Sequence, residues 1–427
     1  MRVVVIGAGP AGCMAAITAA SLGAAVTLVD GNEKIGRKLY ISGKGRCNVT
    51  NAADFNEFIE KIVRNPKFVY GALKGFSNAD TQKFFTARGV PLKTERGGRV
   101  FPASDKAADI VDALFNELKR SGVCLKTGVK ADKFITDQGK ISAIATSKGL
   151  IYGDAFILAT GGKSYPGTGA DGSGYAIARA VGHTVVEPKP ALSAFIVDTV
   201  KTPFGSYPVS ECGLPVGVSL KNIALTACYD GKRRSEFGEA LFTDDGISGP
   251  VALTLSSYVN RAEKVVLSLD MKPALDEKTL DLRLQREFVS NKRLKNILPD
   301  LLPHSVANWY ARLLPYSEKA VNSVTKEERK NLIKMLKGME FAVSLKPIEE
   351  AIVTSGGIKT NEIDPKTMRS KTVSNLYFAG EIIDVDALTG GYNIQIALST
   401  GYAAGKNAAN AANAANAANT DDTEKTN

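Results

Sequence analysis

Histidine, tryptophan and cysteine are all scarce in this chain, and their scarcity limits its chemistry. Among 427 residues there are two histidines, one tryptophan and five cysteines. Neither a Cys-x-x-Cys pair nor a His-Glu-x-x-His motif occurs, so we expect no structural zinc site and no histidine-ligated metal. The cysteines are Cys13, Cys47, Cys124, Cys212 and Cys228. Their odd number and scattered positions indicate free thiols and a cytoplasmic location rather than a disulfide framework.

Long apolar runs are also missing. The sequence begins MRVVVIGAGPAG, in which glycines interrupt the apolar residues and no cleavage-site pattern follows, so we do not expect a signal peptide. No stretch approaches the ~18 apolar residues that a membrane span needs. The apolar fraction of 44% and the charged fraction of 23% are those of globular proteins and exclude a largely disordered or collagen-like chain. A chain of 427 residues is longer than one ordinary domain of ~100–200 residues.

Acidic residues are outnumbered by basic ones. The chain has 54 Lys and Arg against 44 Asp and Glu, a net charge of +10, which suggests a polyanion or an anionic ligand as partner. The excess is local, because residues 31–46 hold five basic and one acidic side chain and residues 275–346 hold fourteen and nine. This distribution favours an anionic cofactor and a small anionic substrate. We expect no stable nucleic-acid partner, since no RNA-binding module is visible.

The first thirty residues contain a strand, a glycine-rich turn, a helix and a second strand. The run Val3–Ile6 has the β-branched composition of a buried parallel strand, and GAGPAG follows it at once. An alanine-rich helix then leads to a second strand over Ala25–Val29, which ends at Asp30. This order and spacing predict a dinucleotide-binding βαβ unit. Asp30 is expected to bind ribose hydroxyls, and its charge disfavours a 2′-phosphate there.

Each glycine of this turn has its own physical requirement. Gly7 permits the tight turn, Gly9 lets the backbone approach a pyrophosphate, and Gly12 lets the helix pack closely on the strand. The free N–H groups and the dipole at the helix start favour the anion. Pro10 and Ala11 inside the motif favour FAD over NAD.

A basic, glycine-rich loop, SGKGRCNVTN, follows at residues 42–51. Interleaved Lys and Arg in such a loop suit a diphosphate or a flavin edge, and a solvated loop is the alternative. Cys47, between Arg46 and Asn48, is either an activated thiol or a packed and inert one.

The sequence resembles the HI0933-like (YhiN/BaiN) family of bacterial NAD(P)/FAD-dependent oxidoreductases. The similar blocks are VVVIGAGPAG, SGKGRCNVTN, GGRVFPASDKAADI, ATGGKSYPGTGADGSGYAIARAVGH, LFTDDGISGP and a C-terminal segment that reaches about residue 405. Two positions depart from the family pattern. Lys44 stands where a glycine is usual, and Asp30 where glutamate is more common. Neither departure is expected to abolish FAD binding.

The resemblance implies how the rest of the chain contacts FAD. Glu381, after the strand NLYFAG, matches the acid that reaches the ribityl chain and pyrophosphate, and residues 391–394 match a helix start at the isoalloxazine. Val129 is expected at the adenine, and the segment ATGG at the sheet edge that meets the cofactor. The predicted cofactor-binding residues are Gly7, Gly9, Pro10, Ala11, Gly12, Asp30, Gly31, Lys38, Gly45, Arg46, Cys47, Asn48, Val129, Thr160, Gly161, Gly162, Gly380, Glu381, Gly391, Tyr392, Asn393 and Ile394.

The predicted fold class is α/β, with a discontinuous Rossmann-like FAD-binding domain, an inserted β-barrel-like domain and a helical cap. The predicted ranges are 1–190 and 350–406 for the FAD-binding domain, 191–274 for the β-rich insertion, 275–349 for the cap and 407–427 for a low-complexity Asn-Ala-Ala tail that ends in frayed polar residues. Trp309 is expected in a core, with substrate stacking as the alternative, and His183 is expected to be structural.

The predicted function is that of an FAD-dependent oxidoreductase that transfers hydride through flavin N5. The resemblance implies NAD(P)H as a transient electron donor. One branch of the family reduces conjugated C=C bonds of 3-oxo bile acid intermediates, so an enone, bile acid or steroid-like substrate is expected. Arg46, Cys47 and Tyr392 are candidate catalytic residues that place a carbonyl or donate a proton. A flavin-dependent amine oxidase, a nucleic-acid-linked flavoprotein and a flavin-binding protein without turnover remain alternatives.

Overall fold

Five parallel strands form the sheet that carries the glycine-rich turn. In spatial order they are Leu376–Phe378, Ala155–Leu158, Arg2–Ile6, Ala25–Val29 and Cys124–Lys126. Their Val, Ile and Leu side chains are almost all buried, as expected for a parallel sheet covered on both faces. The edge strand comes from the C-terminal part of the chain, so the domain is discontinuous, as predicted.

The computed structural model describes the backbone of residues 1–424 and the side chains of residues 1–411. The chain folds into two compact units, Met1–Lys189 with the segment from Ile352 onward, and Pro190–Ala351. The predicted Asn-Ala-Ala tail continues the last helix, Tyr392–Glu424. Fraying was predicted for the final eight residues, 420–427, but residues 420–424 belong to the helix, and residues 425–427 lie outside the described residues.

Helices and smaller sheets complete the first unit. Its helices are Pro10–Ser21, Arg37–Ile41, Phe55–Glu60, Tyr70–Gly75, Asn78–Thr86, Ala107–Arg120, Ser173–Ala180 and Tyr392–Glu424. One antiparallel sheet contains, in spatial order, Gly149–Tyr152, Lys140–Thr146 and Ala131–Asp137. A second contains Thr50–Asn51, Arg99–Pro102 and Leu92–Glu95, and a third pairs Ile62–Arg64 with Asp386–Ala387. The strand Val185–Ala191 pairs with Val353–Ile358.

The first and last helices of this unit are in backbone contact. A Cβ on Gly401 would lie 2.2 Å from the carbonyl oxygen of Ala11, and one on Gly405 would lie 2.3 Å from that of Ala15. Because only glycine allows such an approach, the C-terminal helix is held directly against the helix of the dinucleotide motif.

His183 joins two distant segments of the first unit. Its Nδ1 lies 3.2 Å from Glu362 Oε2, and its Nε2 lies 2.8 Å from Ser370 Oγ. Burial lowers the pKa of His183, and the Glu362 carboxylate opposes this shift. The side chain is fully paired inside the protein, in agreement with a structural role.

The second unit contains a closed antiparallel barrel. In order around the barrel, its strands are Phe195–Thr202, Gly246–Ser248, Lys232–Phe242, Ser219–Tyr229, Val265–Asp270 and Met339–Leu345, and the last pairs with the first. The strand Gly205–Pro208 is added outside the ring. The helices are Val209–Cys212, Pro250–Val259, Glu277–Glu287, Leu294–Leu301, His304–Leu313 and Lys326–Gly338. The predicted fold class, a Rossmann-like domain with an inserted barrel and helices, is thus confirmed.

One segment of the predicted cap is not helical. The cap was predicted to be helical over residues 275–349, but the helices end at Gly338 and Met339–Leu345 is the strand that closes the barrel. The alternating burial of that strand, with Phe341 and Val343 facing inward, is the period-two signal that identifies it.

Trp309 lies in the core of the second unit. Its side chain is 1% exposed, its ring stacks on Phe341 at a centroid distance of 6.5 Å, and its Nε1 donates to the Cys212 carbonyl at 3.2 Å. The expectation of a core residue is therefore correct, and the substrate-stacking alternative is wrong.

Candidate cofactor site

The glycine-rich turn leaves open space at one position only. A Cβ on Gly7 would lie 2.5 Å from the carbonyl oxygen of Ala159, and one on Gly12 would lie 1.8 Å from that of Gly7. Both glycines are therefore required by packing. A Cβ on Gly9 would meet no heavy atom within 4 Å, and the φ of −77° is allowed for any residue. Neither packing nor backbone conformation therefore requires glycine at this position. The middle glycine thus faces the space predicted for a pyrophosphate.

The helix Pro10–Ser21 begins at this open space. Gly9 is its N-cap and provides no side-chain cap, and Pro10 occupies the first helical turn. The N–H groups of the first turn, including those of Ala11 and Gly12, have no acceptor within the helix. An unpaired, positively polarised helix start is a ready site for an anion such as a diphosphate.

Asp30 holds the turn in shape. Its Oδ2 accepts the Ala8 N–H at 2.6 Å, and its Oδ1 accepts the N–H and the side-chain amide of Asn32 at 2.7 Å and 2.9 Å. The Asp30 carbonyl accepts the Val129 N–H at 2.9 Å, so the predicted adenine contact of Val129 cannot use that N–H. Gly31 is exposed beside Lys130. Asn32 is a member of this network that the sequence did not single out.

The loop that follows the helix Arg37–Ile41 is strained. Gly43, Lys44, Gly45 and Cys47 all have positive φ angles, of 57°, 60°, 83° and 57°. Two of these residues are not glycine, and left-handed backbone costs such residues free energy. Strain of this kind is often concentrated at functional sites.

Replacing Lys44 by glycine is expected to stabilise the protein. Its left-handed backbone, with φ 60° and ψ 43°, costs lysine more than glycine, so Lys44→Gly should raise the free energy of unfolding by about 0.5–1 kcal/mol. The control is Lys83→Gly within the helix Asn78–Thr86, which should lower it by about 1 kcal/mol. Urea unfolding followed by circular dichroism measures both. Equal losses in the two variants would contradict the strain at Lys44.

Arg46 is not a free cation. Its Nε donates to Asp105 at 2.7 Å, its Nη2 contacts Glu95, and its guanidinium lies 4.1 Å from the centre of the Phe101 ring. The hydrogen bond from Arg46 holds the pKa of Glu95 below its usual value. The predicted role of Arg46 in placing a substrate carbonyl is therefore corrected, because its donors are already directed at protein carboxylates.

Cys47 is not an activated thiol. Its side chain is fully buried, and burial raises the pKa of the thiol to about 12. A group whose pKa is raised becomes ionised only when the pH approaches that value, so the reactive thiolate is nearly absent at neutral pH. Of the two interpretations of Cys47, the packed and inert thiol describes the structure, and the activated thiol does not.

Alkylation of the folded protein at pH 8 tests this correction. We expect iodoacetamide to modify the exposed Cys124 within minutes and to leave Cys47 unmodified, as measured by peptide mass spectrometry. In urea both cysteines should react. Modification of Cys47 in the folded protein at the rate of Cys124 would show that its thiol is accessible and ionised.

The start of the C-terminal helix lies against Asn48. A Cβ on Gly391 would lie 2.3 Å from the Thr50 carbonyl oxygen and 2.9 Å from Asn48 Oδ1. Asn48 Oδ1 is buried without a hydrogen-bond partner among the described residues. The first N–H groups of the helix Tyr392–Glu424 also lack an intrahelical acceptor. This unused acceptor beside unused donors matches a flavin pyrimidine edge, which presents carbonyl, N–H and carbonyl in turn.

Tyr392 and Asn393, the first two residues of this helix, contact other protein residues. Tyr392 is 5% exposed, and its ring packs edge-on against Phe58 at a centroid distance of 4.8 Å. Burial, then the charge of Glu57, raises the pKa of Tyr392. The Asn393 amide donates to the Ala387 carbonyl at 2.7 Å and accepts the Ala387 N–H at 2.9 Å. These contacts hold the helix start in place, and Ile394 is half-buried beside them.

Lys38 and Glu381 form an ion pair within a polar cluster. Lys38 Nζ lies 2.8 Å from Glu381 Oε2 and 2.7 Å from Ser164 Oγ. The N–H of Thr354 donates to Glu381 Oε1 at 2.9 Å. Ser164 and Thr354 were missed at the sequence level. The only local signal was the position of Ser164 directly after the ATGGK segment.

The predicted glycines connect the parts of the site. Gly7 lies against the ATGG segment, where the Thr160 hydroxyl is buried without a partner among the described residues. A Cβ on Gly162 would lie 3.3 Å from Glu381 Cδ, and one on Gly380 would lie 2.7 Å from Ala11 Cβ. The glycine-rich turn, the ATGG segment and the C-terminal segment at Gly380 and Glu381 therefore meet in one place. Gly161 (φ 78°) shapes the ATGG turn, and Gly45 lies in the strained loop.

The residues present fit an FAD. The open Gly9, the uncapped helix start and Asp30 suit a dinucleotide, and the unpaired Asn48 oxygen suits a flavin. Among the side chains described, no group of three His, Cys, Asp or Glu residues could hold a metal ion. Nor is any helix in the described part of the chain long and apolar enough to cross a membrane.

Comparison with known proteins gives consistent matches over nearly the whole chain. A family model described as the HI0933-like protein Rossmann domain matches residues 1–407. The 3-dehydro-bile acid delta(4,6)-reductase of Clostridium scindens is 32% identical over 433 residues, covering 96% of this chain and 99% of that protein. The ribosomal RNA dihydrouridine synthase of Haemophilus influenzae is 32% identical, covering 94% of this chain and 96% of that protein.

Two further similarities agree with these matches. The ribosomal RNA dihydrouridine synthase of Escherichia coli is 31% identical, covering 95% of this chain and 97% of that protein. The solved structure of the FrdA subunit of Escherichia coli quinol fumarate reductase has a TM-score of 0.50 at 16% identity, covering 96% of this chain and 70% of that chain. At that identity the similarity concerns the fold.

Proposed function

This chain belongs to the HI0933-like family of FAD-dependent oxidoreductases, and from that membership we propose that it reduces a carbon–carbon double bond conjugated to a carbonyl group, with NAD(P)H as electron donor. The observation that carries the reaction class is that the names of two relatives describe products in which a conjugated carbon–carbon double bond has been reduced. A 4,6-diene of a 3-dehydro bile acid is conjugated to the ring carbonyl, and dihydrouridine is uridine with its conjugated ring double bond reduced.

The chain's own residues would hold the cofactor as follows. The helix start at Pro10 would bind the diphosphate, and Asp30 the adenosine ribose. Glu381, held by Lys38, would accept a hydrogen bond from the hydroxyl chain. Asn48 and the helix start at Tyr392 would bind the pyrimidine ring. When bound, FAD supplies hydride transfer through its N5 atom.

Hydride would add to the double-bond carbon remote from the carbonyl, and the carbon next to the carbonyl would then need a proton. Arg46 donates to two carboxylates and Cys47 is buried, so we do not favour either residue as the proton donor. Tyr392 carries a hydroxyl proton, and burial raises the pKa of that hydroxyl. Tyr392 is itself only 5% exposed, but it begins the helix that would bind the pyrimidine ring, and on that ground we retain it as the candidate proton donor.

We favour a small, steroid-like enone as substrate. The basic excess of the chain is concentrated in residues 31–46, which include most of the strained loop, and in residues 275–346, and this suits a small anion. Uridine in ribosomal RNA is the second candidate, because the Haemophilus influenzae and Escherichia coli relatives are named for that modification. A cytoplasmic location stays a prediction.

Anaerobic reduction of the flavin tests the proposal. The purified protein, reconstituted with FAD, is expected to lose its flavin absorbance on addition of NADH or NADPH and to regain it with a 3-oxo-4-ene steroid. Incubation with unmodified ribosomal RNA, followed by mass spectrometry of its nucleosides, tests the second candidate. Loss of absorbance with an amine alone would instead indicate an amine oxidase. A protein that cannot be reconstituted with FAD would contradict the whole proposal.

A further inference from the structure

Lys38 and Glu381 are mostly buried inside the unit that carries the glycine-rich turn. Their side chains are 27% and 19% exposed, and Lys38 Nζ lies 3.0 Å and 2.8 Å from the two carboxylate oxygens. The two residues are 343 positions apart in the sequence, so only the folded chain brings them together. A lysine that had merely to attract a phosphate would not need a buried carboxylate as partner.

The two oxygens of Glu381 are used unequally. Oε1 accepts hydrogen bonds from the Thr354 N–H at 2.9 Å and the Ser164 hydroxyl at 3.2 Å, in addition to Lys38. Among the residues that the structure describes, Oε2 accepts from Lys38 alone. A carboxylate oxygen accepts about two hydrogen bonds, so Oε2 keeps capacity for one more donor.

Glu381 directly follows a residue that packs beside the predicted diphosphate position. Its neighbour Gly380 packs on the first turn of the helix Pro10–Ser21, where a Cβ on Gly380 would lie 2.7 Å from Ala11 Cβ. The same turn presents its unpaired N–H groups to an anion. An uncompensated carboxylate so close to a diphosphate would repel it, because the interaction is only weakly screened in a partly buried site.

We propose that Lys38 is a positioning residue that neutralises Glu381, so that the carboxylate can accept a hydrogen bond from the hydroxyl chain of FAD without repelling the diphosphate. The inference rests on the proposed FAD site and adds that Lys38 acts through Glu381. A lysine that acted directly on the phosphate would weaken binding when removed, whatever residue stood at position 381. The two roles therefore differ in how substitutions of Lys38 and Glu381 combine.

A double-mutant cycle on the FAD affinity of the apoprotein separates them. We expect Lys38→Met to weaken binding about 30-fold by exposing an uncompensated charge, and Glu381→Gln to weaken it about 5-fold by removing a charged acceptor. The double variant Lys38→Met/Glu381→Gln should bind about as well as Glu381→Gln, since no charge is left unpaired. Titration of flavin fluorescence measures all four proteins.

ADP provides a second readout, because it carries a diphosphate but no hydroxyl chain. Lys38→Met is expected to weaken ADP binding as it weakens FAD binding. Glu381→Gln should leave ADP binding unchanged or up to about 3-fold tighter, because the charge of Lys38 is then no longer neutralised. Weaker ADP binding by Glu381→Gln would contradict the proposal, and this variant keeps the test valid if Lys38→Met fails to fold.

Lys34 provides the matched control, as an exposed lysine of the same basic segment. Lys34→Met should change FAD affinity by less than about 3-fold, and Lys38→Arg, which keeps the charge, should do the same. A double variant that binds FAD as weakly as Lys38→Met, or more weakly, would overturn the proposal. Failure of the unmodified protein to bind FAD would instead contradict the FAD site itself.

Discussion

Replacing Gly9 by valine is expected to abolish FAD binding while leaving the apoprotein folded. A Cβ at Gly9 would meet no protein atom within 4 Å, and the φ of −77° and ψ of −175° are allowed for valine. The branched side chain would therefore fill only the space reserved for the diphosphate. We expect FAD affinity to fall by about 100-fold or more.

The apoprotein should be nearly unaffected by the same change. Valine is a poorer N-cap than glycine but also restricts the unfolded chain, and the two effects oppose each other. The free energy of unfolding of the Gly9→Val apoprotein should therefore stay within about 1 kcal/mol of the original. Urea unfolding and a flavin fluorescence titration measure the two quantities. Wild-type FAD affinity in Gly9→Val would show that no part of FAD approaches this residue.

Gly12 provides the contrast three residues further along the chain. A Cβ there would lie 1.8 Å from the Gly7 carbonyl oxygen, so Gly12→Val must push the helix away from the strand. We expect a loss of about 3 kcal/mol or more in the apoprotein, before any cofactor is added. The two glycines of one motif would then be separated into one that serves the ligand and one that serves the fold.

Asp30→Ala is expected to reduce both the stability of the protein and its FAD affinity. The carboxylate accepts the N–H groups of Ala8 and Asn32 at 2.6 Å and 2.7 Å, and its removal leaves both donors without that acceptor. Hydrogen bonds to charged groups contribute about 1.5–3 kcal/mol each, and part of this is recovered by water. We expect the free energy of unfolding to fall by about 3 kcal/mol and FAD binding to weaken at least tenfold.

Asp30→Asn separates the hydrogen bonds from the charge. Asparagine keeps one acceptor oxygen and points an N–H₂ group at the other donor. We therefore expect Asp30→Asn to lower the free energy of unfolding, but by less than Asp30→Ala. Asp132→Ala, at an exposed strand position, is the matched control and should change stability by less than about 0.5 kcal/mol. Chemical unfolding with and without FAD measures each variant. A loss in Asp30→Ala no larger than in Asp132→Ala would show that the turn does not depend on the carboxylate.

The sequence predicted the first βαβ unit closely because its interactions are short-range. Gly12 and Asp30 act on neighbours at most 22 residues away, and the structure shows the packing and hydrogen bonds that their spacing implies. The closing strand Met339–Leu345 was missed for the opposite reason. It follows a long helical region, and its partners, which begin at Phe195 and Val265, lie far away in the sequence.

Side chains near the site were harder to interpret than backbone positions. Arg46 and Cys47 lie in a loop that the sequence correctly marks as unusual, but their availability depends on Glu95, Asp105 and burial. Those are tertiary properties, and composition gives no measure of them. A basic residue beside a glycine-rich turn suggests an anion site equally well whether or not a protein carboxylate already occupies it.

By itself, the sequence determined the dinucleotide motif, which follows from local spacing and from strands buried on both faces, while the discontinuous α/β fold was implied by the resemblance to a known family. Only the tertiary structure decided which polar groups remain available to a ligand. It paired Lys38 with Glu381 across 343 positions, buried Cys47, and left Asn48 Oδ1 unpaired beside the last helix. The physical reason is that ionisation and hydrogen-bonding capacity depend on what surrounds a group in space, which its neighbours in sequence do not specify.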